Sequence, residues 1–306
     1  HIVTHFQIFY NREQVGGVME TKTVILATDI SGLGKVAATA ALPLFAICQL
    51  EVALLPTMIL SSHTGGFSNI YIDDYTHGML AFLKQWQSLE FDFSALITGY
   101  LKSDIQVENL LRFKEEKSLP LIVDPIMGDK GTFYQGFSDA HLGHMRRLCQ
   151  HADLVLPNLT EACLLLEEPY EDSLSEDRWE NYCKRLAELG SSKVLLTGLP
   201  LKENQIGVAY FDAATEEFNL FSSPALPQQF FGTGDILTTL VAAAFVQGVD
   251  IKQALPVILK FIEKSLVLSF KEQIDPKKGV FYQPYLGELF ADFQALMEEK
   301  DEETNT

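Results

Sequence analysis

The chain has 306 residues, 47% of them hydrophobic, which is enough to build a large core and excludes a disordered or collagen-like polymer. Its formal charge is −18, from 23 Lys and Arg against 41 Asp and Glu, so its surface field repels phosphate backbones and argues against a nucleic-acid role. No uncharged apolar run approaches the roughly eighteen residues that span a bilayer. The longest, 240–249, reads as a buried helix, and a soluble protein is expected.

Residues 1–18 precede the first clean strand, open on His1 and lack the basic and apolar layout of a signal peptide. They read as a remnant upstream of the folded chain. From Thr23 onward, short apolar runs alternate with longer amphipathic ones, the rhythm of parallel strands joined by crossover helices. Strands are expected near 23–28, 51–58, 95–99, 121–124, 154–157 and 194–198. Helices are expected near 36–47, 78–89, 105–116, 139–151 and 177–189. After Gly198 the rhythm breaks. Residues 206–224 place Val208, Tyr210, Phe218, Leu220 and Phe221 around a polar turn, which reads as an antiparallel hairpin at a sheet edge. Three helices follow, near 236–247, 251–268 and 287–300, and the acidic stretch 298–306 reads as a solvated, fraying helix end. With no repeat or linker in view, residues 19–297 are expected to form one domain.

Cys48, Cys149, Cys163 and Cys183 are far apart, with no C-x-x-C pair and no clustered histidines. That pattern speaks against zinc and suits buried free thiols in a reducing cytoplasm.

Four segments carry possible chemistry. The first, Asp29-Ile-Ser-Gly-Leu-Gly-Lys35, is a glycine turn between a strand and a helix. A nucleotide P-loop fails here, because Asp29 and Val36 stand where Gly and Ser or Thr are needed. Gly32, Gly34 and Ala37 fit a dinucleotide fingerprint, but the acid about twenty residues on, Glu51, starts its strand instead of ending it. A plain tight turn explains the glycines equally well. The second segment is Gly232-Thr-Gly-Asp235 ahead of an apolar helix, where consecutive N–H groups at the positive helix end suit an anion. Asp235 is there either a helix cap or a functional acid. The third is Val123-Asp-Pro-Ile-Met-Gly-Asp129, past a strand at the ligand-binding edge of an α/β sheet, with Asp124 as a metal–phosphate acid or a turn cap. In the fourth, Pro157-Asn-Leu-Thr-Glu161, Asn158 and Glu161 share one helix face. They suit a hydrated magnesium ion or make a simple capping box.

In this order, with Ser62-His-Thr-Gly65 and Ile97-Thr-Gly-Tyr100, the segments resemble the ribokinase superfamily and within it the pyridoxal (vitamin B6) kinase branch, over about 21–296. The resemblance implies a ribokinase-like three-layer α/β/α fold with a mostly parallel central sheet and an antiparallel edge hairpin. It implies transfer of the γ-phosphoryl of ATP to the 5′-hydroxymethyl of pyridoxal, pyridoxine or pyridoxamine. It further implies Asp235 as the base, the amides of Gly232, Thr233 and Gly234 as an anion hole, and Asn158 and Thr197 at the nucleotide phosphates. Asp124 and Glu161 would hold magnesium, some of it through water, and a monovalent cation is a further candidate cofactor. The vitamer would be met by Asp29, Ser31, His63, Thr64 and Tyr100. A homodimer is expected from the relatives, and residues 128–134 are expected to form a flap. One departure is the acid Asp29 where many pyridoxal kinases carry serine, which brings the turn closer to hydroxymethylpyrimidine kinases. Those kinases, a non-catalytic vitamer- or nucleotide-binding protein, and a dehydrogenase are the competing readings.

Overall fold

Residue by residue, strand β1 (Lys22–Ser31) sends side chains to opposite faces of the sheet. Val24 and Leu26 enter one core, Ile25 and Ala27 the other. Burial on both faces is what a central parallel strand requires, and it explains the unbroken apolar run in the sequence. The computed structural model describes residues 21–304 apart from 135, 136, 172–174 and 203, so the segment expected to be an upstream remnant lies outside the described residues.

After β1 come α1 (Ala37–Ile47), β2 (Leu50–Leu60), β3 (Ile72–Asp74), α2 (Thr76–Gln87), β4 (Ala95–Thr98), α3 (Asp104–Lys117) and β5 (Leu121–Val123). A small pair, β6 (Gly128–Asp129) and β7 (Thr132–Phe133), precedes α4 (Asp139–Cys149), β8 (Leu154–Val155), α5 (Leu159–Leu166) and α6 (Glu176–Glu188). The chain then forms β9 (Lys193–Leu201), β10 (Gln205–Asp212) and β11 (Glu217–Pro224), followed by α7 (Thr233–Gln247), α8 (Ile251–Lys271) and α9 (Leu286–Thr304).

The main sheet has the order β11-β10-β9-β8-β5-β4-β1-β2-β3. The strands from β9 to β2 run parallel, while β3 at one edge and the β10–β11 hairpin at the other are antiparallel. Helices cover both faces. Phe45 of α1, Leu240 of α7, Ile258 of α8 and Phe293 of α9 pack into one core. Met79 of α2, Leu110 of α3, Met145 of α4, Cys163 of α5 and Trp179 of α6 pack into the other. This is the three-layer arrangement the sequence predicts, with α7 buried nearly all round, as its apolar composition requires.

Two elements were not anticipated, and a third runs longer than expected. Strand β3 is exposed and exists because β2 runs two residues further than the sequence predicts, to Leu60, offering a pairing edge to Ile72–Asp74. The β6–β7 pair closes through Gly128, where any Cβ would sit 2.3 Å from the Thr132 carbonyl oxygen. The last helix runs on to Thr304, and within it Lys300 donates to the Gln247 carbonyl at 2.9 Å, tying it to the end of α7. All four cysteines are buried and unpaired.

Candidate active site

The parallel strands β1, β4, β5, β8 and β9 all end at one rim of the sheet, and there the candidate residues gather. Asp29 sits on β1 where the register against β2 shifts, between Thr28 and Ile30. Its carboxylate is buried and accepts the Ser31 hydroxyl at 3.0 Å. Burial, and next the negative charge of Asp235, push its pKa up to about 6. Asp29 and Asp235, far apart in sequence, therefore share one site. Asp29 also acts on Tyr100, whose phenol is pushed up by burial first and then by Asp29 and Asp74.

Asp235 lies in the first turn of α7, whose first intrahelical bond runs from Ile236 N–H to the Gly232 carbonyl at 3.0 Å. The N–H groups of Thr233 and Gly234 thus fall at the helix end where intrahelical partners are lacking. Gly232 takes φ 86°, a left-handed value that suits glycine, and a Cβ there would meet the Lys35 carbonyl oxygen at 2.1 Å. Gly234 is different, since a Cβ there would meet nothing within 4 Å. The first glycine is demanded by the approach of the β1–α1 turn and the second leaves open space beside Asp235. The Thr233 side chain turns back to the Phe230 carbonyl at 3.0 Å, so its backbone is what it can offer an anion. Burial raises the Asp235 carboxyl above its ordinary range, opposed by the Ala37 N–H and by His63.

Asp124 follows β5 and accepts the Thr238 hydroxyl of α7 at 2.7 Å. Burial and the nearby Asp235 push it up to about 7. Glu161 is fully enclosed in α5 and takes the Asn158 N–H at 2.8 Å on one oxygen and the Met127 N–H at 3.0 Å on the other. Asn158 completes a reciprocal capping box and donates to the Gly128 carbonyl at 2.9 Å. Burial, then the charge of Asp124, drives Glu161 well above the carboxylate range. The charge of Asp124 raises Glu161, so the two carboxyls form a hard-oxygen pair whose repulsion a divalent cation relieves, and the residues fit magnesium with water completing its shell. Among the described residues no group of three or more His, Cys, Asp or Glu is placed to hold a metal. Asn158 pairs as an isolated bridge with Thr197, which brings Thr197 to the same rim.

Among the residues expected to meet the substrate ring, His63 is buried with both ring nitrogens engaged. Its Nε2 lies 2.7 Å from the Lys277 carbonyl oxygen, and the Gly65 N–H donates to Nδ1 at 3.1 Å. These partners assign the Nε2–H tautomer and leave the ring as a bracket, flanked by Phe67 and Phe231. Thr64 is exposed beside it, and Tyr100 packs edge-on against Phe137. Ser31 is likewise committed, since its hydroxyl serves Asp29.

Two participants escape sequence reasoning as individual residues. Tyr134, at the exit of β7, is pushed up by burial and by the charges of Glu161, Asp129, Asp124 and Asp235, so it lies in the field of these acids. The short segment 275–279 touches three loops at once through Phe231 N–H to the Pro276 carbonyl, Lys35 N–H to the Lys278 carbonyl, and the His63 contact. Its signal was an Asp-Pro-Lys-Lys-Gly turn, which marks a bend but not its neighbours.

A family model described as phosphomethylpyrimidine kinase matches residues 73–280. The chain belongs to the phosphomethylpyrimidine kinase family, within the ribokinase superfamily. The pyridoxal kinase of Lactobacillus plantarum is similar in structure, with TM-score 0.81 and 29% identity over 91% of this chain and 98% of that one. A Bacteroides thetaiotaomicron structure named for the phosphomethylpyrimidine kinases and crystallised with pyridoxal gives TM-score 0.84 and 29% identity, over 88% and 96%. Among curated relatives, the chloroplast thiamine biosynthetic bifunctional enzyme of Arabidopsis thaliana is 32% identical over 181 residues, 58% of this chain. The chain spans 34% of that enzyme's length. Among the described residues no helix of this family member is long and apolar enough to cross a membrane.

Proposed function

We propose that this family member is an ATP-dependent kinase that phosphorylates the 5′-hydroxymethyl group of pyridoxal, pyridoxine or pyridoxamine, acting as a homodimer in the cytoplasm. The single observation that carries the reading is the half-buried Asp235 at the head of α7. It is placed directly after the Gly232–Gly234 turn, and its negative charge raises the pKa of both Asp29 and Asp124. A base at that point faces the vitamer acid on one side and the phosphate acids on the other.

In the reaction, the vitamer hydroxyl oxygen attacks the γ-phosphorus, the bond from that phosphorus to the β–γ bridging oxygen breaks, and ADP leaves. Asp235 takes the hydroxyl proton. Its raised pKa brings it nearer the operating pH, and a loose transition state lets the proton depart late. The N–H groups of Gly232, Thr233 and Gly234 meet the charge on the transferring group. Asp124 and Glu161 would hold magnesium, which supplies charge neutralisation on the phosphates. Asn158 and Thr197 approach the phosphates from the ends of β8 and β9. Asp29, oriented by Ser31, meets the ring nitrogen, while His63, Thr64 and Tyr100 shape the ring's wall. A monovalent cation is an additional requirement to be tested in the same assay.

The second reading, a hydroxymethylpyrimidine kinase, is favoured by one observation. The turn carries the acid Asp29, which suits a protonatable pyrimidine as well as a pyridine. A coupled ADP-release assay over the three vitamers and hydroxymethylpyrimidine, with ATP and magnesium, separates the two. Turnover of the vitamers at higher kcat/KM supports the proposal, and preference for the pyrimidine overturns it in favour of the second. Asp235→Asn is expected to cut kcat by about 10²–10⁴-fold with ATP binding nearly intact. ATP and vitamer binding without turnover by the wild type would indicate a non-catalytic binding protein.

A further inference from the structure

The glycine turn after β1 has a second job besides bordering the vitamer. Its Lys35 backbone is gripped from two sides. A Cβ on Gly232 would stand 2.1 Å from the Lys35 carbonyl oxygen, and a Cβ on Gly279 would stand 2.7 Å from that oxygen and 3.0 Å from the Lys35 nitrogen. Lys35 N–H donates to the Lys278 carbonyl at 3.1 Å. Gly34 is held as tightly, since a Cβ there would lie 2.6 Å from the His63 ring, and His63 is itself tied to Lys277.

The turn emerges from this grip into Ala37 at the head of α1. Ala37 is buried and has φ 47°, a left-handed value that L side chains rarely adopt. Such a value persists only where the surroundings over-determine it. In that conformation its N–H, one of the partnerless donors of the α1 terminus, faces the Asp235 carboxylate. Two helix heads, of α1 and α7, thus converge on one carboxylate.

We infer that segment 275–279 and Gly232 clamp the Lys35 backbone so that the Ala37 N–H orients the Asp235 carboxylate, making Gly279 and Ala37 positioning residues for the base. The inference rests on Asp235 being that base, as proposed above. The clamp touches neither the phosphate acids Asp124 and Glu161 nor the nucleotide residues Asn158 and Thr197. Its loss therefore changes the chemical step without changing nucleotide affinity.

Two variants test it. Gly279→Ala forces a Cβ onto the Lys35 backbone and is expected to lower kcat at least about tenfold, with KM for ATP and for the alcohol within about threefold. Should Gly279→Ala fail to fold, the second variant replaces the Ala37 amide by an ester through an α-hydroxy acid, deleting one N–H with no added bulk. It is expected to lower kcat by a similar factor, and the same ester at Ala38 serves as the control and leaves kcat unchanged. Equal kcat in the Ala37 ester and wild type, or equal losses at Ala37 and Ala38, overturns the inference, as does a proportional rise in both KM values in Gly279→Ala. The ¹³C resonance of the Asp235 carboxyl at one fixed pH gives a readout independent of turnover. If the wild type phosphorylates nothing but the resonance moves in the Ala37 ester, the assignment of function fails and the clamp stands. If turnover is present and the resonance stays in place, the clamp fails and the function stands.

Discussion

Thr238 of α7 donates its hydroxyl to Asp124 at the end of β5, a 2.7 Å bond that joins the helix carrying Asp235 to the strand that leads into Asp124. It favours the charged carboxylate, yet burial outweighs it and Asp124 is pushed up to about 7. A carboxyl with its folded pKa raised above the ordinary 3.8 holds a proton that the unfolded chain has already released. The ligand-free protein therefore loses stability as pH rises from about 4 through about 7 on account of this group, and Asp29, pushed up to about 6, adds to the loss. Asp235 and Glu161 are raised in the same direction, and Asp124→Asn removes one of these contributions. Its melting temperature is expected to gain on the wild type between pH 5 and pH 8, and a difference that stays constant over that range contradicts the assignment. Magnesium with ADP is expected to stabilise the wild type more than this variant at pH 8.

Glu161 holds two backbone N–H groups from separate segments, Met127 before the flap and Asn158 at the head of α5. Glu161→Ala leaves both donors buried without partners and removes the capping box, so it is expected to destabilise the fold by about 2–4 kcal/mol. Urea denaturation without metal or nucleotide measures this, and a change under half a kilocalorie would show that water takes over both donors.

The β6–β7 segment, expected from the sequence to act as a flap, is tied at its tip, where Lys130 donates to Gln229 at 2.8 Å and Gly131 N–H donates to the Thr160 hydroxyl at 2.9 Å. The first of these contacts is exposed and the second part-buried, and such sparse ties open locally. Amide exchange at 128–134 is expected to slow about tenfold on adding magnesium with an ATP analogue, as Tyr134 settles over the acids. Unchanged exchange would assign the segment a fixed structural role.

Asp29→Asn keeps the shape of the side chain and removes its charge. If Asp29 meets a protonated ring nitrogen, KM for the ring alcohol is expected to rise about 10–100-fold while KM for ATP holds, the loss of one charge-assisted hydrogen bond. Parallel titrations of the two substrates decide it, and an equal rise in both KM values would make Asp29 a determinant of the site's shape alone.

Much of the fold was legible because its signals are local. The run from Val24 to Ala27 is apolar on both faces, and the β10–β11 hairpin carries its polar turn between apolar strands. Asn158 and Glu161 announced a capping box at the spacing where the structure has one. Strand β3 was not legible, because Ile72–Asp74 has no apolar alternation and owes its strand to the overhang of β2. The roles around His63 were hidden for a different reason. Its partner Lys277 lies 214 residues away, and no periodicity in the chain encodes a bond to a backbone carbonyl at that separation. Gly232 was read as part of an anion cradle, and the structure adds a steric cause that only the approach of Lys35 reveals.

The four cysteines lie deep in the two cores, and burial pushes every thiol up, Cys183 to about 12 and the others in the same direction. A thiol kept protonated and walled off is inert toward alkylating reagents until the chain opens around it. Cys48 sits behind α1 on one side of the sheet, Cys149, Cys163 and Cys183 on the other. The molecule thus carries its own unfolding clock on each face, readable by mass spectrometry from which sulfur is capped first.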